Sequence, residues 1–202
     1  DYQWASTGTI NYKNEAKSLI AIIKTHEIEA NTFVLKPGDQ FGGSQITNPS
    51  YFAPAYFRAF GNYTNDNTFW NAVASKCYTI INNNLTQNNA VGGLVSDWCQ
   101  ASGAYSPQAS GYNKEGKTYS YDAARTPWRI AVDYVWNGNA EAKSYVKKDL
   151  KFSQEKIKEY LEFGKSSFSL LLSYPYDLKY SYLQLILIIE DIIKTFYIDD
   201  DN

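Results

Sequence analysis

The chain has 202 residues, a net charge of −2 and a single histidine. That length suits one domain, or most of one, with a sizeable core. The scattered, balanced charge forms no basic stripe of the kind nucleic acid requires, and a lone His26 in a helical stretch leaves acid–base chemistry to carboxylates.

The elements read as helical throughout. Asn14 is positioned to cap a first helix in which Ala16, Leu19, Ile20 and Ile23 follow the i, i+3, i+4, i+7 pattern. Pro37-Gly38-Asp39 and Gly42-Gly43 mark a loop. A second helix is expected from about Ser50 to Phe60, with Pro49 and Pro54 near its start and Gly61-Asn62 as its stop. Thr68 is positioned to cap a third, aligning Trp70, Val73, Cys77, Ile80 and Ile81, with Asn82-Asn83-Asn84 ending it. A long loop rich in Gly, Ser, Tyr and Asn runs from Ala101 to Ser120. Thr126 and Pro127 then suit a helix start, Ile130, Tyr134 and Val135 share one face, and Gly138 closes the helix. A further helix runs from about Ala140 to Lys148. Short Gly/Asn turns alternate with long aromatic loops, which suits helical hairpins stacked around an axis.

Composition changes near Leu150. Asn, Gly and Trp give way to Lys, Glu, Tyr, Leu and Ile, and amphipathic helices are expected over Glu155 to Phe163 and Leu183 to Tyr197. This tail, 151–202, reads either as a second module or as text foreign to the rest, such as a shifted frame in AT-rich DNA. Its apolar run from Leu183 to Ile193 is too short and too acidic to span a bilayer of about 30 Å. No secretory leader is legible at the start, and Asp1 is not an initiator methionine, so residues are expected upstream. Cys77 and Cys99 have no metal-ligand spacing; they either pair or stay buried as small hydrophobes. Asn62-Tyr63-Thr64 and Asn84-Leu85-Thr86 match a glycosylation sequon, a match frequent by chance in an Asn-rich chain.

Three segments carry candidate chemistry. Tyr121-Asp122-Ala123-Ala124-Arg125 sets a carboxylate beside an arginine, among aromatics, just before a helix whose positive end favours the ionised form. That is the setting of a water-activating base in a sugar cleft, or of an ordinary capping ion pair between Asp122 and Arg125 or Arg129. The loop Leu35 to Gly43 presents Phe41 between glycines that permit close approach. It lacks the spacing and ending of a phosphate loop. Asp39 is a further candidate for a substrate contact in this loop, and Tyr51 follows at a helix start with its hydroxyl free to bond. Asp97-Trp98-Cys99 is either a Trp packed on a Cys at a buried helix edge, or a site where Trp98 reaches a sugar.

These segments carry a resemblance. Leu35-Lys36-Pro37-Gly38-Asp39 with Gly42-Gly43, Thr47-Asn48-Pro49-Ser50-Tyr51-Phe52-Ala53-Pro54, Asp97-Trp98-Cys99, and Tyr121-Asp122-Ala123 with Arg125 and Trp128-Arg129 resemble glycoside hydrolase family 8, and within it the bacterial endo-1,4-β-glucanases. Trp4 and Ile10-Asn11-Tyr12 fit the same pattern. The likeness runs in order from residue 1 to about 148. It implies an all-α fold, part of an (α/α)6 barrel, with 1–150 a partial catalytic domain and the tail divergent. It implies a secreted enzyme that cleaves internal β-1,4 bonds of cellulose or a related β-glucan with inversion, using two carboxylates and no cofactor. Asp122 matches the base, Arg125 a motif arginine beside it, and Tyr51 a cleft tyrosine. Gln40 and Phe41 depart from the Arg-Trp of many such cellulases. The family's acid glutamate matches no residue here. The polysaccharide is then the expected partner, with neither nucleic acid nor membrane. Two other readings stay open: a non-catalytic carbohydrate-binding fragment, and an all-helical interaction protein whose aromatics are core.

Overall fold

In a computed structural model of the chain, the described residues are 1, 6–88, 93–111 and 119–148. The chain divides between Asp149 and Leu150, and every described residue belongs to the first unit. The helices expected in the tail, and Trp4, lie outside the described residues.

The described residues of this unit form five α-helices: α1 (Tyr12–His26), α2 (Pro54–Thr64), α3 (Asn67–Asn88), α4 (Thr126–Asn137) and α5 (140–148). Single 3-10 turns sit at Pro49–Tyr51, Pro107–Gly111 and Ala123–Arg125. Among the described residues there are no strands, only isolated bridges such as Thr47–Cys99. No helix there is long and apolar enough to cross a membrane. The all-α expectation holds.

The helices begin and end where local chemistry allows, which is not always where spacing alone placed them. α1 starts earlier than expected, because Asn11 Oδ1 rather than Asn14 caps it, accepting from Asn14 N at 3.0 Å. The expected second helix breaks at Phe52-Ala53, since Pro54 has no N–H to donate and instead opens α2. Gly61 does not stop α2. It lies inside the helix because a Cβ there would stand 3.1 Å from Asn67 Cα and 3.2 Å from Trp70 Cβ, so its bareness lets α3 pack close. The stop is Asn65, in the left-handed conformation at φ 58°. α3 begins at Asn67, before Thr68, and runs past Asn82-Asn83-Asn84 to Asn88. Asn84 is fully buried, and its amide is satisfied by Ser96 N at 2.9 Å, Ser96 Oγ at 2.7 Å and the Gly103 carbonyl at 3.0 Å. Those partners remove its reason to break the helix, and the burial closes the second sequon to any glycan. Gly138 ends α4 as expected, in the left-handed region at φ 62°.

α2 and α3, joined by Asn65 and Asp66, form a hairpin cemented by aromatics. Trp70 is 1 % exposed, stacked on Phe57 at 5.9 Å and edge-on to Phe60 and Phe69, both at 5.2 Å. Rings of this size contribute about 1.5–3 kcal/mol each on burial. Lys24 ties α1 to this hairpin, pairing with Asp66 and lying 4.1 Å over the Phe69 ring. Leu19 and Ile22 of α1 remain more than half exposed, so only Ile20 of that expected face is buried. Val135 of α4 is likewise exposed while Ile130 is fully buried. Cys77 and Cys99 are both buried and unpaired. Burial raises both thiols, Cys99 to about 12.

α4 is locked to the hairpin by a buried charge. Asp133 is fully buried and accepts from Arg58 Nε at 3.2 Å, Tyr78 Oη at 2.6 Å and Asn137 Nδ2 at 2.8 Å. Arg58 in turn donates to Asn71 Oδ1 at 3.1 Å. A buried carboxylate is tolerable only with donors on this scale.

Asp133→Ala leaves Arg58 Nε and Tyr78 Oη without their acceptor. We expect a loss of about 3 kcal/mol in urea unfolding, the low end of the range for a broken buried pair, because Arg58 still reaches solvent. Burial, and then its bond to Asp133, raises the Tyr78 hydroxyl well above its usual value. Its contribution is therefore complete below about pH 10 and falls as pH rises beyond that. Tyr78→Phe flattens this alkaline slope in unfolding midpoints measured from pH 8 to 11.

Candidate functional site

Three segments distant in sequence meet around Asp122. The first is Thr47–Tyr51. Asn48 is fully buried; its Oδ1 accepts from Ser50 N at 2.9 Å and so caps the 3-10 turn that Pro49 opens. The second is Asp97–Cys99, a bend that runs into an isolated bridge rather than a helix edge. Thr47 N donates to Cys99 O at 2.7 Å and Cys99 N to Thr47 O at 3.0 Å, which clips the two segments together. The third is 120–125, where Ala124 N donates to Ser120 O at 3.0 Å and Arg125 N to Asp122 O at 3.1 Å.

The carboxylate of Asp122 is held at both oxygens. Asn48 Nδ2 donates to Oδ2 at 3.0 Å, and Arg125 Nη2 donates to Oδ1 at 2.6 Å. The same Nη2 donates to Ser50 Oγ at 3.0 Å, and the guanidinium lies 5.7 Å from the Tyr51 ring centroid. The Asp122 side chain keeps 31 % of its surface open and Arg125 keeps 43 %. Each carboxylate oxygen has two lone pairs, so both retain acceptor capacity toward solvent. Held in place and open to solvent is the condition a proton acceptor needs. The ion pair expected of Asp122 is made with Arg125, without a side-chain cap; Arg129 instead lies 5.6 Å from the Trp128 ring.

The helix entry differs from expectation. Thr126 is the first residue of α4, but its side chain makes no cap. Residues 122 to 126 all adopt right-handed helical geometry, so the 3-10 turn runs straight into the helix, with Pro127 in its first turn. The fully buried Thr126 Oγ1 has no hydrogen-bond partner.

The structure gathers Asp122, Arg125 and Tyr51, the last 37 % exposed. Trp98 is 8 % exposed and clusters with Ile46 and Ala109; it fills core and presents little face to a sugar. Phe41 is 43 % exposed on its glycine loop, as expected. That loop is braced from below by Glu29, whose carboxylate accepts from Ser44 N at 2.9 Å, from Ser44 Oγ and from Thr32 Oγ1. Burial pushes the Glu29 carboxyl up, but those hydrogen bonds outweigh it and it settles below its usual value. Asp39 is engaged locally, accepting from Gln40 Nε2 at 3.0 Å, a bond that lowers its carboxyl. Neither Phe41 nor Asp39 bonds to the Asp122 cluster.

Three participants lay within the quoted motifs without being singled out. Asn48 is legible in retrospect, because Asn-Pro-Ser is a capping signature. Tyr121 is 95 % exposed directly beside Asp122, and an exposed ring next to a charged candidate is itself a signal. Asp97 gave no local sign.

The family model described as "Glycosyl hydrolases family 8" matches residues 1–162. The chain is 50 % identical over 144 residues to "Endoglucanase A" of Acetivibrio thermocellus, a match covering 71 % of this chain and 28 % of that protein. It is 47 % identical over 143 residues to "Endoglucanase 2" of Ruminiclostridium josui, covering 71 % and 29 % respectively. Among solved structures it is similar to an apo β-1,3-1,4-glucanase from Paenibacillus sp. X4, with a TM-score of 0.70 at 29 % identity over 78 % of this chain and 43 % of that one. The chain thus spans less than a third of the length of the two curated relatives named. The described helices form part of an (α/α)6 barrel, as expected.

Asn48→Ala removes both the cap of the 3-10 turn and a donor to Asp122. We expect about 1–2 kcal/mol of destabilisation, read from thermal or urea unfolding of the full chain.

Proposed function

Because the chain belongs to family 8 of the glycosyl hydrolases, we propose that it carries the general-base side of an inverting hydrolysis of internal β-1,4 bonds in cellulose or a related β-glucan. The observation that carries this reading is the Asp122 carboxylate, fastened at both oxygens by Asn48 and Arg125 yet one-third open. Arg125 fixes its orientation through a charge-assisted bond. A water bonded to a remaining lone pair loses its proton to Asp122 as its oxygen attacks the anomeric carbon. The glycosidic oxygen leaves from the opposite face, protonated by an acid about 6.5–9.5 Å from the base. In this reading the acid comes from a portion of the family's domain that these residues do not match. Tyr51 and Tyr121 offer exposed rings flanking the base, and Phe41 a further one on its loop. The chemistry rests on carboxylates and calls for no cofactor.

The domain portion is taken as 1–150, with 151–202 a divergent tail; matches to the curated relatives extend over 143–148 residues, while the family model reaches residue 162. A polysaccharide substrate implies an extracellular setting for the protein.

The test is reducing-sugar release from a soluble β-glucan by the full chain and by Asp122→Asn, alongside sedimentation with insoluble cellulose. The chain is expected to bind cellulose and, lacking the acid, to hydrolyse at about 10²–10⁴-fold below a full-length relative. The variant is expected to bind equally and to release nothing above buffer. Equal release by both proteins removes Asp122 from the role of base, and failure of either to sediment favours a helical interaction protein.

A further inference from the structure

We infer that Asp97 is the positioning residue for Asp122, the link that turns three separate chain segments into one site. This rests on the reading of Asp122 as the base and extends it to a residue that touches no substrate. Asp97 is 4 % exposed. Its Oδ1 accepts from Ser120 N at 3.0 Å and from Ala123 N at 2.8 Å, and its Oδ2 accepts from Ser120 Oγ. All three donors lie on the turn that carries Asp122, on either side of it. A buried carboxylate costs free energy unless it is matched by donors of this kind. The turn is therefore held to the conformation that supplies them.

The other anchor of Asp122 traces to the same place. Asn48, which donates to Asp122 Oδ2, follows Thr47, and Thr47 is bridged to Cys99, two residues beyond Asp97. The hydrogen bonds thus close a ring through Asp122, Asn48, Thr47, Cys99 and Asp97, then back through Ala123. Asp97 sets where the turn sits, and the bridge sets where Asn48 sits relative to it. Without Asp97 the turn is released from one side of this ring, and the bond from Asn48 to Asp122 loses its geometry.

The experiment is a pH titration of the isotope-labelled full chain by NMR. It follows the Asp122 carboxyl carbon together with the Asn48 side-chain amide. In the parent the Asn48 amide signals move with the Asp122 midpoint, because the two share a hydrogen bond. In Asp97→Ala the amplitude of that coupled movement falls at least twofold. In Asp97→Asn, which keeps an oxygen for the Ser120 and Ala123 N–H groups, it is largely retained. Ser120→Ala, which removes one contact and leaves Asp97 in place, gives a smaller fall and serves if Asp97→Ala does not fold. Thermal melts of each variant confirm the helical unit. An Asn48 amide that ignores Asp122 in the parent overturns the inference. So does a coupling of undiminished amplitude in Asp97→Ala, or in Ser120→Ala where that variant is the one read. The readout does not depend on turnover, so loss of the base reading through Asp122→Asn and loss of this inference are separate results.

Discussion

The exchange of two backbone hydrogen bonds between Thr47 and Cys99 is the contact on which the site depends. It is an isolated bridge, made by two irregular segments that share no helix and stand about fifty residues apart. Irregular backbone buried away from water must find partners for its N–H and C=O groups, and each segment is the other's partner. Once they are clipped, the residues next to them are aimed. Asn48 points its amide at Asp122, and Asp97 accepts from the turn on which Asp122 rides. The helices supply the platform, but the candidate site stands on loops braced by buried polar side chains.

A second buried carboxylate organises the platform. Asp133 gathers donors from α2, α3 and α4. The two systems share a logic. In each, a charged group with almost no access to water ties together elements that apolar packing alone would allow to slide. Aromatic contacts around Trp70 provide cohesion without direction; Asp133 and Asp97 provide direction. α4 belongs to both, since it begins just beyond Asp122 and carries Asp133 two turns later.

What could be read from the sequence follows the range of the interaction involved. Pro127, Gly138, the glycine loop and the pairing of Asp122 with Arg125 depend on neighbours within a few residues, and all were legible. The end of α3 was not, because Asn84 is satisfied by Ser96 and Gly103, and no local rule reveals those partners. Thr126 looked like a cap by type, yet a 3-10 turn ahead of it continues the helical geometry and takes the role away. Trp98 was offered as either core or cleft, and its burial with Ile46 and Ala109 decides for core. Periodicity placed Leu19 on a buried face of α1, but only Ile20 is buried there. The resemblance to family 8 pointed to the fold and offered Asp122 as a base. It included Asp97 in a motif but gave it no part, and that part emerges only when residues 97, 120 and 123 are seen together.

The two sulfhydryls have a consequence of their own. Cys77 and Cys99 lie at 1 % and 0 % exposure in separate parts of the unit, one on the aromatic hairpin and one at the Thr47 clip. Burial keeps both protonated, and only the thiolate attacks alkylating reagents. Each will be modified only when its surroundings open. The molecule therefore contains two native stopwatches, one timing the breathing of the helical platform and the other that of the site's brace.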